Sequence, residues 1–154
     1  MNAPRLDEAI EAAATLCRHF EGFRSKVYIC PAGFPTQGFG TVFKPDGTRV
    51  SMDDPPISVE QAEAWLMSEL RTNYGAGILK ASPNLINHPR ALAAAIDFAY
   101  NLGVSRYRAS TLRKRLQAED WEGAKEQLMR WTKAGGRELP GLVRRRKAEA
   151  GLLP

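Results

Sequence analysis

Two cysteines and two histidines are all the soft metal ligands that 154 residues contain. Cys17, Cys30, His19 and His88 do not fall at the spacing of a zinc or iron site, so no metal and no cofactor is expected. Long apolar runs are lacking too. The uncharged stretch from Val27 to Phe43 is broken by Pro31, Pro35 and glycines, and Met1 to Glu11 has neither the basic start nor the apolar run of a signal peptide. A chain made in the cytosol, without stable membrane insertion, is expected. There is no Gly-x-Ser-x-Gly elbow, no Walker loop and no histidine placed for a hydrolytic triad, which excludes nucleophilic acyl transfer and P-loop chemistry.

What is present is the composition of an ordinary soluble domain, 44% hydrophobic and 25% charged, long enough to fold without a disulfide or a metal. The net charge of +5 is unevenly spread. Residues 1 to 57 carry six basic and seven acidic groups, residues 58 to 105 three and four, and residues 106 to 154 thirteen and six. The C-terminal third therefore steers the chain toward a polyanion. Nucleic acid is not the expected one, because Glu119, Glu122 and Glu126 interrupt the charge and no DNA-binding pattern is visible.

Leu6, Ile10, Ala13, Cys17 and Phe20 recur at helical spacing and predict a helix from about residue 6 to 21, stopped by Gly22. Residues 27 to 50, rich in Val, Ile, Tyr, Phe and Thr and cut by three turn signals, predict a small three-stranded antiparallel meander. Ser58 with Gln61 predicts a capped helix that reaches about Lys80. After Ser82-Pro83 only helical patterns are visible, with Asp120 as an N-cap and Pro140 in a first turn. Trp65, Trp121 and Trp131 stand among apolar neighbours and read as core. The fold class is α+β and helix-dominated.

Glu21 lies on one helix line with Ile10, Ala14 and Cys17, so its carboxyl emerges beside the apolar stripe at a helix C-terminus. Dehydration and the negative end of the macrodipole both favour the protonated form, as a general acid requires. Cys30 ends the first strand and Thr36 begins the return, which brings a thiol and a hydroxyl to one hairpin mouth. In Arg144-Arg145-Arg146-Lys147, four successive helical residues point in four directions. At least one arginine must turn inward and find a carboxylate, and Glu21 is a candidate. Cys17 and Cys30 either stay free or pair as a disulfide that closes the site.

Taken together, Glu21, eight residues, Cys30, five residues and Thr36, followed by Gln37-Gly38-Phe39-Gly40, resemble the active-site signature of the phage lysozyme (endolysin) family, glycoside hydrolase family 24, lambdoid type. Glu21-Gly22-Phe23-Arg24, Phe98-Ala99-Tyr100-Asn101-Leu102-Gly103, Trp131-Thr132-Lys133-Ala134-Gly135-Gly136 and Pro140-Gly141-Leu142-Val143-Arg144-Arg145-Arg146 extend the resemblance over nearly the whole chain. It implies a single lysozyme-like domain, with a sheet lobe at about 22–57, a bridging helix at about 58–80 and a helical lobe at about 83–154.

The implied activity is hydrolysis of the β-1,4 bond between N-acetylmuramic acid and N-acetylglucosamine in peptidoglycan, lysing the host. Glu21, Cys30 and Thr36 would be catalytic, and Val42, Tyr100 and Asn101 would bind the saccharide. The expected partners are peptidoglycan glycan strands and a holin that lets a monomeric enzyme pass from host cytoplasm to periplasm. The absence of a wall-binding module fits a Gram-negative host. A lytic transglycosylase would cut the same bond, but needs no water held by residues 30 and 36. Two positions depart from the family pattern: Cys30 often is Asp, and Thr41 stands where His is usual.

Overall fold

The amphipathic repeat at the N-terminus forms helix α1, Ala3–Glu21, in the computed structural model, which describes residues 3–154. It begins earlier than the periodicity predicts, because Pro4 fits a first turn. Ala9, Ile10, Ala13, Ala14 and Cys17 are its buried stripe. Gly22, at φ +71°, ends the helix in the left-handed region and turns the chain into the sheet lobe.

Strands β1 (Arg24–Ile29) and β2 (Pro35–Gly38) pair antiparallel, with Tyr28 opposite Thr36 and Ile29 opposite Pro35. The expected third strand does not form as a strand. Gly38 and Gly40 both take positive φ, so the chain turns back at once and only isolated bridges remain, Gln37 with Thr41 and Phe43 with Arg49. Side-chain bonds hold this lobe in place of a wide ladder. The Gln37 amide donates to the carbonyls of Ser25 (2.9 Å) and Pro55 (2.8 Å), and Ser25 donates to the Ile57 carbonyl (2.7 Å).

Ser58 caps the bridging helix by accepting from the Gln61 N–H at 3.1 Å. The helical path then runs as α2 (Val59–Glu69), a π-helical turn (Leu70–Gly75) and α3 (Ala76–Ala81), which matches the expected span but not its regularity. Gly75 makes the wide turn fit. A Cβ there would stand 2.7 Å from the Leu70 carbonyl and 3.2 Å from Ile10 of α1.

A 3₁₀ turn (Pro83–Asn87) leads into α4 (Pro89–Leu102), followed by α5 (Val104–Ala109), α6 (Thr111–Gln117), α7 (Trp121–Leu128) and α8 (Pro140–Ala150). Every residue of α4 from Ala91 to Ala99 is buried, and α1, α8 and the bridging helix pack around it. Ser110 caps α6 and Asp120 caps α7 through their side chains. The second half is not wholly helical. Strands β3 (Lys133–Ala134) and β4 (Arg137–Glu138) form a short hairpin across Gly135 and Gly136, whose φ values of +59° and +77° suit a two-residue turn. Trp121 and Trp131 join the core, but Trp65 does not; it lines a surface groove with Lys44, Pro45 and Gln61. Among the described residues no helix is long and apolar enough to cross a membrane.

Candidate active site

Because α1 ends at Glu21, the last carboxyl of the helix projects where the sheet lobe begins. The side chain is 23% exposed, and its two oxygens meet different surroundings. Oε2 accepts from Arg145 Nη1 at 2.6 Å. Oε1 lies against Gly40, where a Cβ would come within 2.8 Å of it. Gly40 also holds φ +84°, so both space and backbone call for glycine at this close approach. The acid thus touches the hairpin lobe directly.

On the facing hairpin, Thr36 is opposite Tyr28 rather than Cys30, so thiol and hydroxyl meet diagonally. The Thr36 hydroxyl donates to the Phe34 carbonyl at 2.8 Å, which leaves its lone pairs for an incoming hydrogen. Cys30 is partly exposed. Slight burial raises its pKa, but a hydrogen bond from Thr36, whose single hydrogen then turns from the Phe34 carbonyl to the sulfur, and those from the turn N–H groups of Phe34, Ala32 and Gly33 outweigh this and leave it lowered. Tyr28 lies in the field of both Glu21 and Cys30, and burial first and Glu21 second raise its phenol. The Arg24 guanidinium covers its ring, 4.3 Å from the centroid.

Behind Glu21 lies a buried ionic network on α1, α4 and α8. Arg145 grips Asp97 with two bonds, Nε to Oδ2 at 2.9 Å and Nη2 to Oδ1 at 2.8 Å, so its third bond to Glu21 has a fixed direction. Burial opposes the Arg145 charge, yet Asp97 and Glu21 raise its pKa further; Asp97, also against the effect of burial, is held low by Arg145. Cys17 Sγ donates to Asp97 Oδ1 at 3.2 Å, and burial followed by that carboxylate pushes the thiol well up. Both cysteines are free, so the disulfide alternative falls.

Glu21 thus faces the lobe that carries Cys30 and Thr36, and Tyr28 of that lobe lies in the field of both Glu21 and Cys30. Val42 is partly buried on the same lobe, its carbonyl bound by the Val50 N–H at 2.8 Å. Tyr100 spends its hydroxyl on the Phe39 carbonyl at 2.6 Å. Asn101 accepts from Arg146 Nη2 through its side-chain oxygen at 2.9 Å, which leaves its amide nitrogen. Two arginines turn inward: Arg145, which reaches Glu21 and Asp97, and Arg146, fully buried and paired with Glu149 at 2.8 Å. Asp97 went unnoticed in the sequence, although one acid inside an alanine-rich helix segment was the available signal. Tyr28 and Glu69 were also missed. No group of three or more His, Cys, Asp or Glu able to hold a metal exists among the described residues.

The chain is 33% identical over 146 residues to an endolysin of Acyrthosiphon pisum secondary endosymbiont phage 1, covering 92% of this chain and 94% of the relative. A SAR-endolysin of bacteriophage PS119 is 45% identical over 56 residues, 36% of this chain and 34% of the relative. The endolysin from Escherichia coli O157:H7 phage FAHEc1 superposes with a TM-score of 0.77 at 29% identity, covering 92% of this chain and 90% of that one. The model of the phage lysozyme family matches residues 18–149, a span that contains Glu21, Cys30, Thr36 and Arg145, and the chain belongs to that family.

Proposed function

We propose that Glu21 is the proton donor of a peptidoglycan hydrolase and that Cys30 and Thr36 hold the water. The chain is a phage lysozyme, a glycoside hydrolase that degrades peptidoglycan. The bond cut is the β-1,4 link between N-acetylmuramic acid and N-acetylglucosamine. One observation carries the assignment of the acid: Arg145 takes Oε2 alone, so Oε1 is left beside Gly40 at the cleft.

In the reaction Glu21 hands its proton to the leaving glycosidic oxygen as the bond to the anomeric carbon breaks. Positive charge grows on that sugar. Thr36 accepts one hydrogen of a water, and the Cys30 sulfur faces the same space, steadying the charge and the nucleophile. The water oxygen bonds to the anomeric carbon and its surplus proton returns to solvent. Val42, Tyr100 and the free amide of Asn101 line the saccharide groove. The enzyme works as a monomer on the wall, reaching it from the host cytoplasm through a holin lesion. The basic C-terminal third favours the anionic polymer.

The test is lysis of outer-membrane-permeabilised cells. Glu21→Gln should lose roughly 10²- to 10⁴-fold in rate while its circular dichroism is unchanged, because general acid catalysis contributes on that order. Cys30→Ser and Thr36→Ala should each be strongly impaired. Product masses should show one water gained per cut, against none for a transglycosylase. Normal lysis by Glu21→Gln would falsify the assignment.

A further inference from the structure

The turn at residues 37–41, which seats Gly40 on Glu21, is bounded by two polar groups that find no partner. Thr41 is fully buried and its hydroxyl is unpaired. Glu69, the last residue of α2, is 6% exposed, and its Oε1 is equally unpaired. The two side chains face each other between the sheet lobe and the bridging helix. Orphaned buried atoms are rare, and π-helical turns, of which one starts directly after Glu69, recur at functional sites. The other side of the same turn is already tied, since Tyr100 of α4 donates to the Phe39 carbonyl.

We propose that Glu69 is a positioning residue for the hydrolysis: through Thr41 it holds the 37–41 turn, and with it Gly40, in register with Glu21, and ionising its buried carboxyl, which draws water into the lobe junction, loosens that hold. A neutral carboxyl can share a hydrogen bond with the Thr41 hydroxyl, either group donating, and asks for no counter-charge. An ionised one, without a cation beside it, must draw in water and open the lobe junction. The titratable groups that feel the charge of Glu69 are Tyr74 on its own helical path and Tyr100 on α4, and Cys17 and Glu21 on α1 act on the same two phenols. None of these is a cation. Burial pushes the Glu69 pKa up to about 7, against a smaller lowering by Thr41.

This inference rests on the hydrolase reading but has its own outcome. The rate constant kcat is measured on purified sacculi from pH 5.5 to 8.5 for wild type, Glu69→Gln, Thr41→Ser and Thr41→Val, with thermal unfolding recorded at each pH. Wild type should decline with a midpoint near 7, so that about a tenth remains one unit above it. Glu69→Gln should match wild type within twofold at pH 5.5 and move the midpoint up by one unit or more, with KM unchanged. Thr41→Ser should keep the wild-type profile. Thr41→Val, which cannot take the hydrogen bond, should lose activity even at pH 5.5. A merely structural role would shift the melting temperature of Glu69→Gln and leave the midpoint in place, and that result overturns the proposal. Should Glu69→Gln not fold, a wild-type midpoint outside pH 6 to 8, or a normal profile for Thr41→Val, overturns it as well. Wild type that releases no saccharide at any pH would refute the hydrolase reading instead.

Discussion

Around α4 nine consecutive residues are buried, whereas in residues 23 to 52 five large hydrophobic side chains, Phe23, Ile29, Phe34, Phe43 and Met52, stand exposed. The helical lobe is held by apolar area with one ionic network cast inside it. The sheet lobe buries only Phe39 and Val50 among its hydrophobic residues and relies on polar side chains that bind backbone, Gln37 above all. Apolar burial is additive and tolerant, but a side-chain bond to one carbonyl is specific and easily lost. The lobe that presents Cys30 and Thr36 is thus the more readily deformed half, and the half that carries Glu21 is the rigid reference.

That contrast can be broken most severely from the rigid side. Arg145→Ala leaves Asp97 charged in the core, and removing one partner of a buried pair costs about 3 to 5 kcal/mol. The melting temperature should fall by roughly 10 °C, and lysis should be lost with it. Gly40→Ala strikes the junction instead. It forces a Cβ onto Glu21 and a non-glycine residue to φ +84°, at about 1 to 3 kcal/mol. Activity should drop on the order of 10²-fold, more than stability explains. Hydrogen exchange should quicken in residues 24–43 while α4 stays protected.

Two smaller effects sharpen the comparison. The Glu69 carboxyl has its pKa raised in the folded state, so it binds a proton more tightly there than in the unfolded chain. Its contribution is complete at low pH and disappears as pH rises through about 7. Between pH 6 and 8 wild type should lose roughly 1 kcal/mol that Glu69→Gln keeps, measurable by denaturant titration. Ser58→Ala removes the cap where the sheet lobe hands over to α2 and should cost about 0.5 to 1 kcal/mol, seen as faster exchange at Gln61.

The same difference governs what the sequence discloses. Helix α1 and the cap at Ser58 are visible because period and capping are local signals. An inward arginine was foreseeable, since four basic residues on one helical turn cannot all face water. That Arg145 and Arg146 both turn in, and that Arg145 is the one to reach Glu21, depends on how α8 is rotated against α4, which no local pattern states. The third strand fails because two glycines at positive φ reverse the chain before a ladder can extend. Glu69 reads as one more polar residue on an amphipathic helix, and only the π-helical turn after it and the burial of Thr41 single it out. Asn101 shows the limit of motif reading: its position was noticed, but its bond to Arg146 belongs to tertiary structure.

The acid is made early and its anchor late. Glu21 closes the first helix, while Arg145 belongs to α8, so a ribosome must translate nearly all the intervening chain before the guanidinium exists to orient the carboxylate. Any product that stops before α8 lacks the guanidinium that fixes the direction of the Glu21 carboxyl.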